Sequence, residues 1–216
     1  MKLFGFFTLT GYTSPMKPQS FIFMGRYGSG KGTQSTLLIE ALKKIDTTRT
    51  SLYIQTGQEF RSYTQESSYT AALTKKTIDS GRLMPEFMCV YLWGRLIAQK
   101  YTGSEYLVFD GTPRKLMEAQ MLESLFPFYG LEKPWVIYLD VEHEEASSRL
   151  SIRARSSGRP DDGKDQVEVR RKAYEADIVP SIEYYRTNPN VNFLDIDGER
   201  SIEDIHADIV KKLGLE

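Results

Sequence analysis

Six cationic side chains stand far apart in this chain, and each lies in or beside a turn. Lys31 sits inside Gly25-Arg26-Tyr27-Gly28-Ser29-Gly30-Lys31-Gly32-Thr33, Arg61 follows Thr56-Gly57, and Arg114 follows Asp110-Gly111-Thr112-Pro113. Arg153, Arg159 and Arg170 bracket the turn-prone run Ser156-Ser157-Gly158-Arg159-Pro160-Asp161-Asp162-Gly163. Any one of these arginines, taken singly, reads as a solvated surface residue. As a set they suit phosphoryl transfer, whose transition state spreads negative charge over the moving group and its neighbours. A forked guanidinium also matches a phosphate two bonds at a time.

The glycine run is the most specific part. Gly28, Gly30 and Gly32 let backbone N–H groups turn inward without a Cβ in the way, and a following helix adds its positive dipole end, so the loop forms a cradle for polyphosphate. Ser29 lies within it, Lys31 adds a mobile charge for the β and γ phosphates, and the Thr33 hydroxyl can reach a phosphate or its bound Mg²⁺. The usual pattern places Ser or Thr directly after the lysine; here Gly32 intervenes.

Such a loop works only between a strand and a helix, and the sequence supplies both. Phe21-Ile22-Phe23-Met24 reads as a buried strand, and Leu37, Leu38, Ala41, Leu42 and Ile45 give the apolar stripe of a helix. Further strands are expected at Ser51 to Gln55, ending in a turn at Thr56-Gly57, at Tyr106 to Asp110, at Trp135 to Leu139 closed by Asp140, and at Val191 to Ile196. Helices are expected from Gln58 to Tyr63, after a cap at Ser67 or Ser68 up to Gly81, and from Pro85 through Ile97. Others are expected over Lys115 to Phe126, Glu142 to Arg155, and Lys164 towards Arg186 with a bend at Pro180, with a last helix striped by Ile202, Ile205, Ile209, Val210 and Leu213. Strands alternating with helices predict an α/β fold, a parallel sheet covered on both faces.

Composition sets the outer bounds. A chain of 216 residues, 40% hydrophobic, can bury one substantial core. With 28 basic and 29 acidic residues there is no global field to attract nucleic acid or a membrane, so an anion must be held by a local cluster. One cysteine, Cys89, and two histidines, His143 and His206, exclude a disulfide framework and a structural zinc site, and point to a reducing, cytoplasmic setting. Both histidines are expected to face solvent. Residues 1–19 read as an extension whose apolar start is too diluted by threonine and proline to predict a cleaved leader.

Taken in order, these motifs resemble the adenylate kinases, or more broadly the nucleoside monophosphate kinases, over nearly all of residues 20–214. The landmarks are Gly28-Ser29-Gly30-Lys31-Gly32-Thr33-Gln34, Thr56-Gly57 with Arg61, Gly81-Arg82-Leu83-Met84-Pro85, Asp110-Gly111-Thr112-Pro113-Arg114, Arg149 with Arg153, Gly158-Arg159-Pro160-Asp161-Asp162 with Arg170, and Asp197-Gly198. The resemblance implies a three-layer α/β/α P-loop kinase with a helical monophosphate-binding insertion at about 55–84 and a short lid at about 154–164. It implies ATP and a nucleoside monophosphate as substrates, Mg²⁺ as cofactor, and a monomer. Lys31, Arg153, Arg159 and Arg170 would surround the ATP phosphates, while Arg61 and Arg114 would hold the acceptor phosphate. Arg149 would lie over the donor adenine with the backbone at Gly198 against its edge, and Asp110 would steady Mg²⁺ through water. Thr56, Gly57, Met84, Cys89 and Gly111 would form the acceptor site; Cys89 reads equally well as a small buried hydrophobe.

The chain also departs from the family's pattern. Gln58 stands where an aspartate is usual, Tyr27 replaces a proline inside the glycine loop, and Thr112 replaces a phenylalanine before Pro113. Glu118 replaces a glutamine that reads adenine. A carboxylate accepts only, so Glu118 in the pocket favours guanine, unless Gln120 takes its place by a small register shift. AMP remains the expected acceptor, with GMP or a pyrimidine monophosphate as the alternative. A P-loop kinase for a small alcohol, and an idle nucleotide-binding switch, are the other readings.

Overall fold

The computed structural model describes residues 18–157 and 164–216. Five parallel strands form one sheet in the order β2-β3-β1-β4-β5: β1 (Ser20–Gly25), β2 (Ser51–Gln55), β3 (Tyr106–Asp110), β4 (Trp135–Asp140) and β5 (Asn192–Asp197). Period-two alternation explains why helices cover both faces. Ile22 and Met24 of β1, Leu107 and Phe109 of β3 and Val136 and Tyr138 of β4 point into one core; Phe21, Phe23, Tyr106, Val108, Ile137 and Leu139 point into the other. All of these side chains are buried.

The first core is closed by α4 (Glu86–Lys100), α5 (Leu116–Glu123) and α9 (Val179–Arg186). The second is closed by α1 (Lys31–Ile45) and α10 (Ile202–Leu213), which supply Leu38, Leu42, Ile205, Ile209 and Leu213. Between β2 and β3 the chain also forms α2 (Thr56–Tyr63) and α3 (Tyr69–Asp79), the latter capped by Ser68, whose hydroxyl accepts from the Ala71 N–H at 3.0 Å. After α5 come a short α6 (Leu125–Phe128), then α7 (His143–Ser157) beyond β4, and α8 (Lys164–Ala173).

Three expectations need correction. The strand β2 passes into α2 at Thr56 without a turn; Gly57 costs little there, because first-turn N–H groups have no partner inside the helix. The helix expected to run from Lys115 to Phe126 breaks at Ser124, since Pro127 has no N–H and its ring crowds the carbonyl of Glu123. The bend at Pro180 proves to be a π-helical turn, Tyr174–Ile178, in which the Val179 N–H bonds the Tyr174 carbonyl; Pro180 cannot donate, and the ladder widens by one residue ahead of it.

In a parallel open sheet the strands end on one rim, and ligands bind outside that rim. Gly25, Gln55, Asp110, Asp140 and Asp197 are the five last residues, in register as Gln55 beside Asp110 and Asp140 beside Asp197. The loops at Gly28 to Thr33, at Gly111 to Arg114 and at Gly198 each follow one of these ends, and Thr56-Gly57 opens the helix after β2.

Candidate active site

The glycine loop joins β1 to α1. Gly30 sits before the helix with φ +93°, no side chain caps α1, and its first turn holds no acid, which leaves the N–H groups and the dipole end for an anion. Gly28 has φ +85°, and a Cβ there would lie 2.4 Å from the Ala146 carbonyl, so α7 packs on the loop only because the residue is glycine. The Arg26 guanidinium donates to the Val141 carbonyl at 2.9 Å and ties the loop to the end of β4. Lys31 folds back over the loop and donates to the Gly25 carbonyl at 2.9 Å, the Arg26 carbonyl and the buried Ser29 hydroxyl at 3.3 Å.

The opposite wall comes from the ends of β2 and β3. Buried Thr56 donates its hydroxyl to the Asp110 carbonyl at 3.4 Å. Arg114 donates through Nε to the Gly111 carbonyl at 2.8 Å and through a terminal nitrogen to the Tyr27 hydroxyl at 2.6 Å, so it bridges this wall to the glycine loop. Arg61 bonds Gln58 at 3.1 Å with its guanidinium lying over Gly57. At Gly111 φ is +81°, and a Cβ would come within 3.1 Å of the Thr56 hydroxyl and 3.2 Å of the Arg114 guanidinium. Gly111→Ala is therefore expected to destabilise by about 1–2 kcal/mol, since an L side chain is strained there. It should also push the Arg114 guanidinium from its place; thermal melting checks the loss of stability.

Between the two walls runs a cleft of about 610 Å³, within the usual range for a small-molecule site. Lys31, Arg61, Arg114, Arg153 and Arg170 all line it, with Gly28, Gly30, Gly32 and Thr33 on the loop side. Thr56, Gly57, Met84, Cys89, Gly111 and Glu118 line the other end. Burial pushes the Cys89 thiol far above its ordinary range, so it lines the cleft as an apolar group. Arg159 lies outside the described residues, as does most of the turn around it. Arg149 and Gly198 come together elsewhere on the rim: Arg149 donates to the Gly198 carbonyl at 2.8 Å and pairs with Glu145, and neither lines the cleft.

Glu118 is 1% exposed. One carboxylate oxygen accepts from the Thr112 hydroxyl, and the other accepts from the Arg114 N–H at 2.8 Å. Burial raises its pKa, against the lowering effect of those two donors. The carboxylate is thus committed to the turn that carries Arg114. Gln120 is exposed on α5, so the register shift that would bring it to the pocket does not occur. The histidines are not simply solvated: both are half-buried, and burial lowers the pKa of His206.

Residues that sequence reasoning left without a role also line the cleft, among them Gln55, Phe60, Arg82 and Tyr27. Arg82 stood in a quoted landmark, and Tyr27 was marked by being bulky among glycines. For a metal, the donors on offer are Asp110 and Thr33. The Asp110 carboxylate lies 3.4 Å from where a Cβ on Gly32 would stand and accepts from the Tyr53 hydroxyl at 3.2 Å. Among the described residues no three His, Cys, Asp or Glu side chains form a group that could hold a metal ion. One carboxylate and one hydroxyl beside a phosphate cradle fit Mg²⁺, which keeps most of its waters and shares phosphate oxygens.

The sequence profile of the adenylate kinase family matches residues 23–190. The chain is 29% identical to an adenylate kinase of Phocaeicola vulgatus over 191 residues, covering 88% of this chain and 96% of that one. It is 30% identical over 192 residues to an adenylate kinase of Bacteroides fragilis, covering 89% and 96%. With adenylate kinase 1 of a Nostoc species the identity is 31% over 193 residues, covering 89% and 97%. A parallel sheet whose rim carries a glycine cradle facing an arginine wall, together with these matches along most of the length, establishes that the chain belongs to the adenylate kinase family.

Proposed function

We propose that this chain transfers the γ-phosphoryl group of ATP to AMP, giving two ADP, with the donor phosphates on the glycine loop and the acceptor phosphate on the opposite wall. The observation that carries the reading is the single cleft in which five cations from separate segments face one another. Lys31, Arg153 and Arg170 neutralise the donor phosphates and the group in flight; Arg159 belongs with them by its place in the sequence. Arg61 and Arg114 grip the acceptor phosphate, Arg149 and the Gly198 backbone take the donor base, and Thr56, Met84 and Cys89 take the acceptor base. The segment at about 55–84, which holds α2 and α3, serves as the acceptor-binding insertion, and that at about 154–164 as a short lid. Asp110 and Thr33 would hold the Mg²⁺ of Mg-ATP, which neutralises phosphate charge when bound.

No general base is required, because a monophosphate is already ionised at neutral pH. Among the described residues the carboxylates lining the cleft are Asp110, held by Tyr53, and Glu118, held by Thr112 and the Arg114 N–H. Catalysis is then alignment plus preorganised positive charge in a site closed to water. The engagement of Glu118 by its own turn favours AMP over GMP. No helix among the described residues is long and apolar enough to cross a membrane. We read the enzyme as cytoplasmic and monomeric.

Lys31 gives a pH signature. Burial first, then the neighbouring Arg114, Arg153 and Arg170, lower its pKa to about 7, against the raising effect of Asp110. Polyphosphate beside the ammonium will favour the charged form. Above pH 7 ATP binding should therefore take up a proton at Lys31, and affinity should fall as pH rises from 7 to 9. Calorimetry at pH 8 in buffers of different ionisation enthalpy measures this uptake; Lys31→Met should abolish it.

The direct test supplies the purified chain with Mg-ATP and AMP and looks for ADP, with GMP, UMP and CMP in parallel. Turnover confined to GMP overturns the acceptor assignment. ATP binding without any ADP formed would favour the idle switch.

A further inference from the structure

Tyr27 occupies a place in the site that its residue type alone does not announce. It stands on the glycine loop, two residues beyond the end of β1. The Arg114 guanidinium carbon lies 4.7 Å from the centre of its ring, and that of Arg170 lies 4.5 Å from the same centre. The phenol oxygen also accepts from Arg114 at 2.6 Å. Arg114 comes from the turn after β3, and Arg170, only 6% exposed, comes from α8. Three segments distant in sequence therefore meet on one aromatic ring beside Lys31.

Two guanidinium groups repel one another, and a charged Lys31 close by adds to the repulsion. A ring face offers negative potential to a cation, and the contact strengthens when water is excluded. A proline at position 27 has neither a π face nor an acceptor. We propose that Tyr27 is a positioning residue for the transfer: its ring seats the acceptor-side Arg114 and the donor-side Arg170 together, and its hydroxyl fixes the direction in which Arg114 points. The two halves of the cleft are thereby registered to the glycine loop before either substrate arrives. This rests on the phosphate roles given above to Arg114 and Arg170.

The two parts of the seat are separable. Tyr27→Phe keeps the ring for both arginines and removes only the oxygen that Arg114 uses. It should lower kcat/KM for AMP about fivefold, with ATP handling near that of the parent. Tyr27→Leu removes the ring as well and should lower kcat/KM for both substrates, on the order of fiftyfold for AMP. A purely structural role would not divide the substrates in this way. Equal losses for ATP and AMP in Tyr27→Phe, or both variants within twofold of the parent, overturn the proposal. Should Tyr27→Leu fail to fold, Tyr27→Phe alone decides it. Separate calorimetric titrations with ATP and AMP read the same division from binding, so absence of ADP formation by the parent chain counts against the proposed activity and not against the seat.

Discussion

Lys31→Met should slow phosphoryl transfer by about 10²–10³-fold, the usual loss when one preorganised charge contact to a transition state is removed. The fold should survive. Lys31 carries no part of either core, and its ammonium is held at an unfavourable place: its pKa is lowered from the ordinary lysine value to about 7. Between pH 7 and the unfolded value near 10.5 the unfolded chain binds a proton that the folded chain lacks, so this group makes stability rise with pH across that window. The cost is fully present below pH 7 and disappears towards pH 10.5. The methionine variant should thus melt at or above the parent at pH 7, and should lack the part of the parent's rise between pH 7 and 9 that Lys31 supplies. Melting curves at the two pH values, beside single-turnover rates, test both halves. A variant that melts well below the parent at pH 7 would show that the bonds from Lys31 to the Gly25 and Arg26 carbonyls hold the loop together.

Arg114→Ala should damage the other substrate. The guanidinium is anchored at Gly111 on the proposed acceptor wall and at Tyr27 on the glycine loop, so its loss is expected to lower kcat/KM for AMP by about 10²–10³-fold, a charged, oriented donor being the costliest kind to lose. The dissociation constant for ATP should move only a few-fold. Arg114→Lys should recover little, because a point charge cannot make the two anchoring bonds and grip a phosphate at once. If Lys31→Met and Arg114→Ala produced the same substrate profile, the division into donor and acceptor walls would be wrong.

Much of this was legible in the sequence because it is local. The apolar run Phe21 to Met24, the glycines of the loop and the acids closing β3 and β4 are each set by residues within a few positions of one another. Of the six cations that the resemblance grouped together, five line the cleft, and Arg159 lies outside the described residues. What escaped was carried by contacts across the fold. The place of Glu118 depends on Thr112 and on the path of the turn between them, which no periodicity reveals. The significance of Tyr27 depends on Arg114 and Arg170, which lie 87 and 143 positions away in the chain. The π-helical turn ahead of Pro180 and the break ahead of Pro127 were written in the prolines, but only as interruptions: a proline states that the ladder fails, and the packing around it settles how. Arg149 and Gly198, which the resemblance assigns to the donor adenine, meet each other on a part of the rim separate from the cleft.

The shared direction of the five strands has a practical side. Gln19 leads into β1, the central strand, at the end opposite Gly25, and the six residues of β1 span about 20 Å. A fluorophore, affinity handle or surface tether joined directly to Gln19 is thus fastened at the back of the sheet, with the length of β1 between its attachment point and the cleft. Anchoring the enzyme at Gln19 should leave the mouth of the cleft turned to solution, whereas a handle grafted at the Gln55–Thr56 junction or into the turn after Asp110 would stand in the doorway.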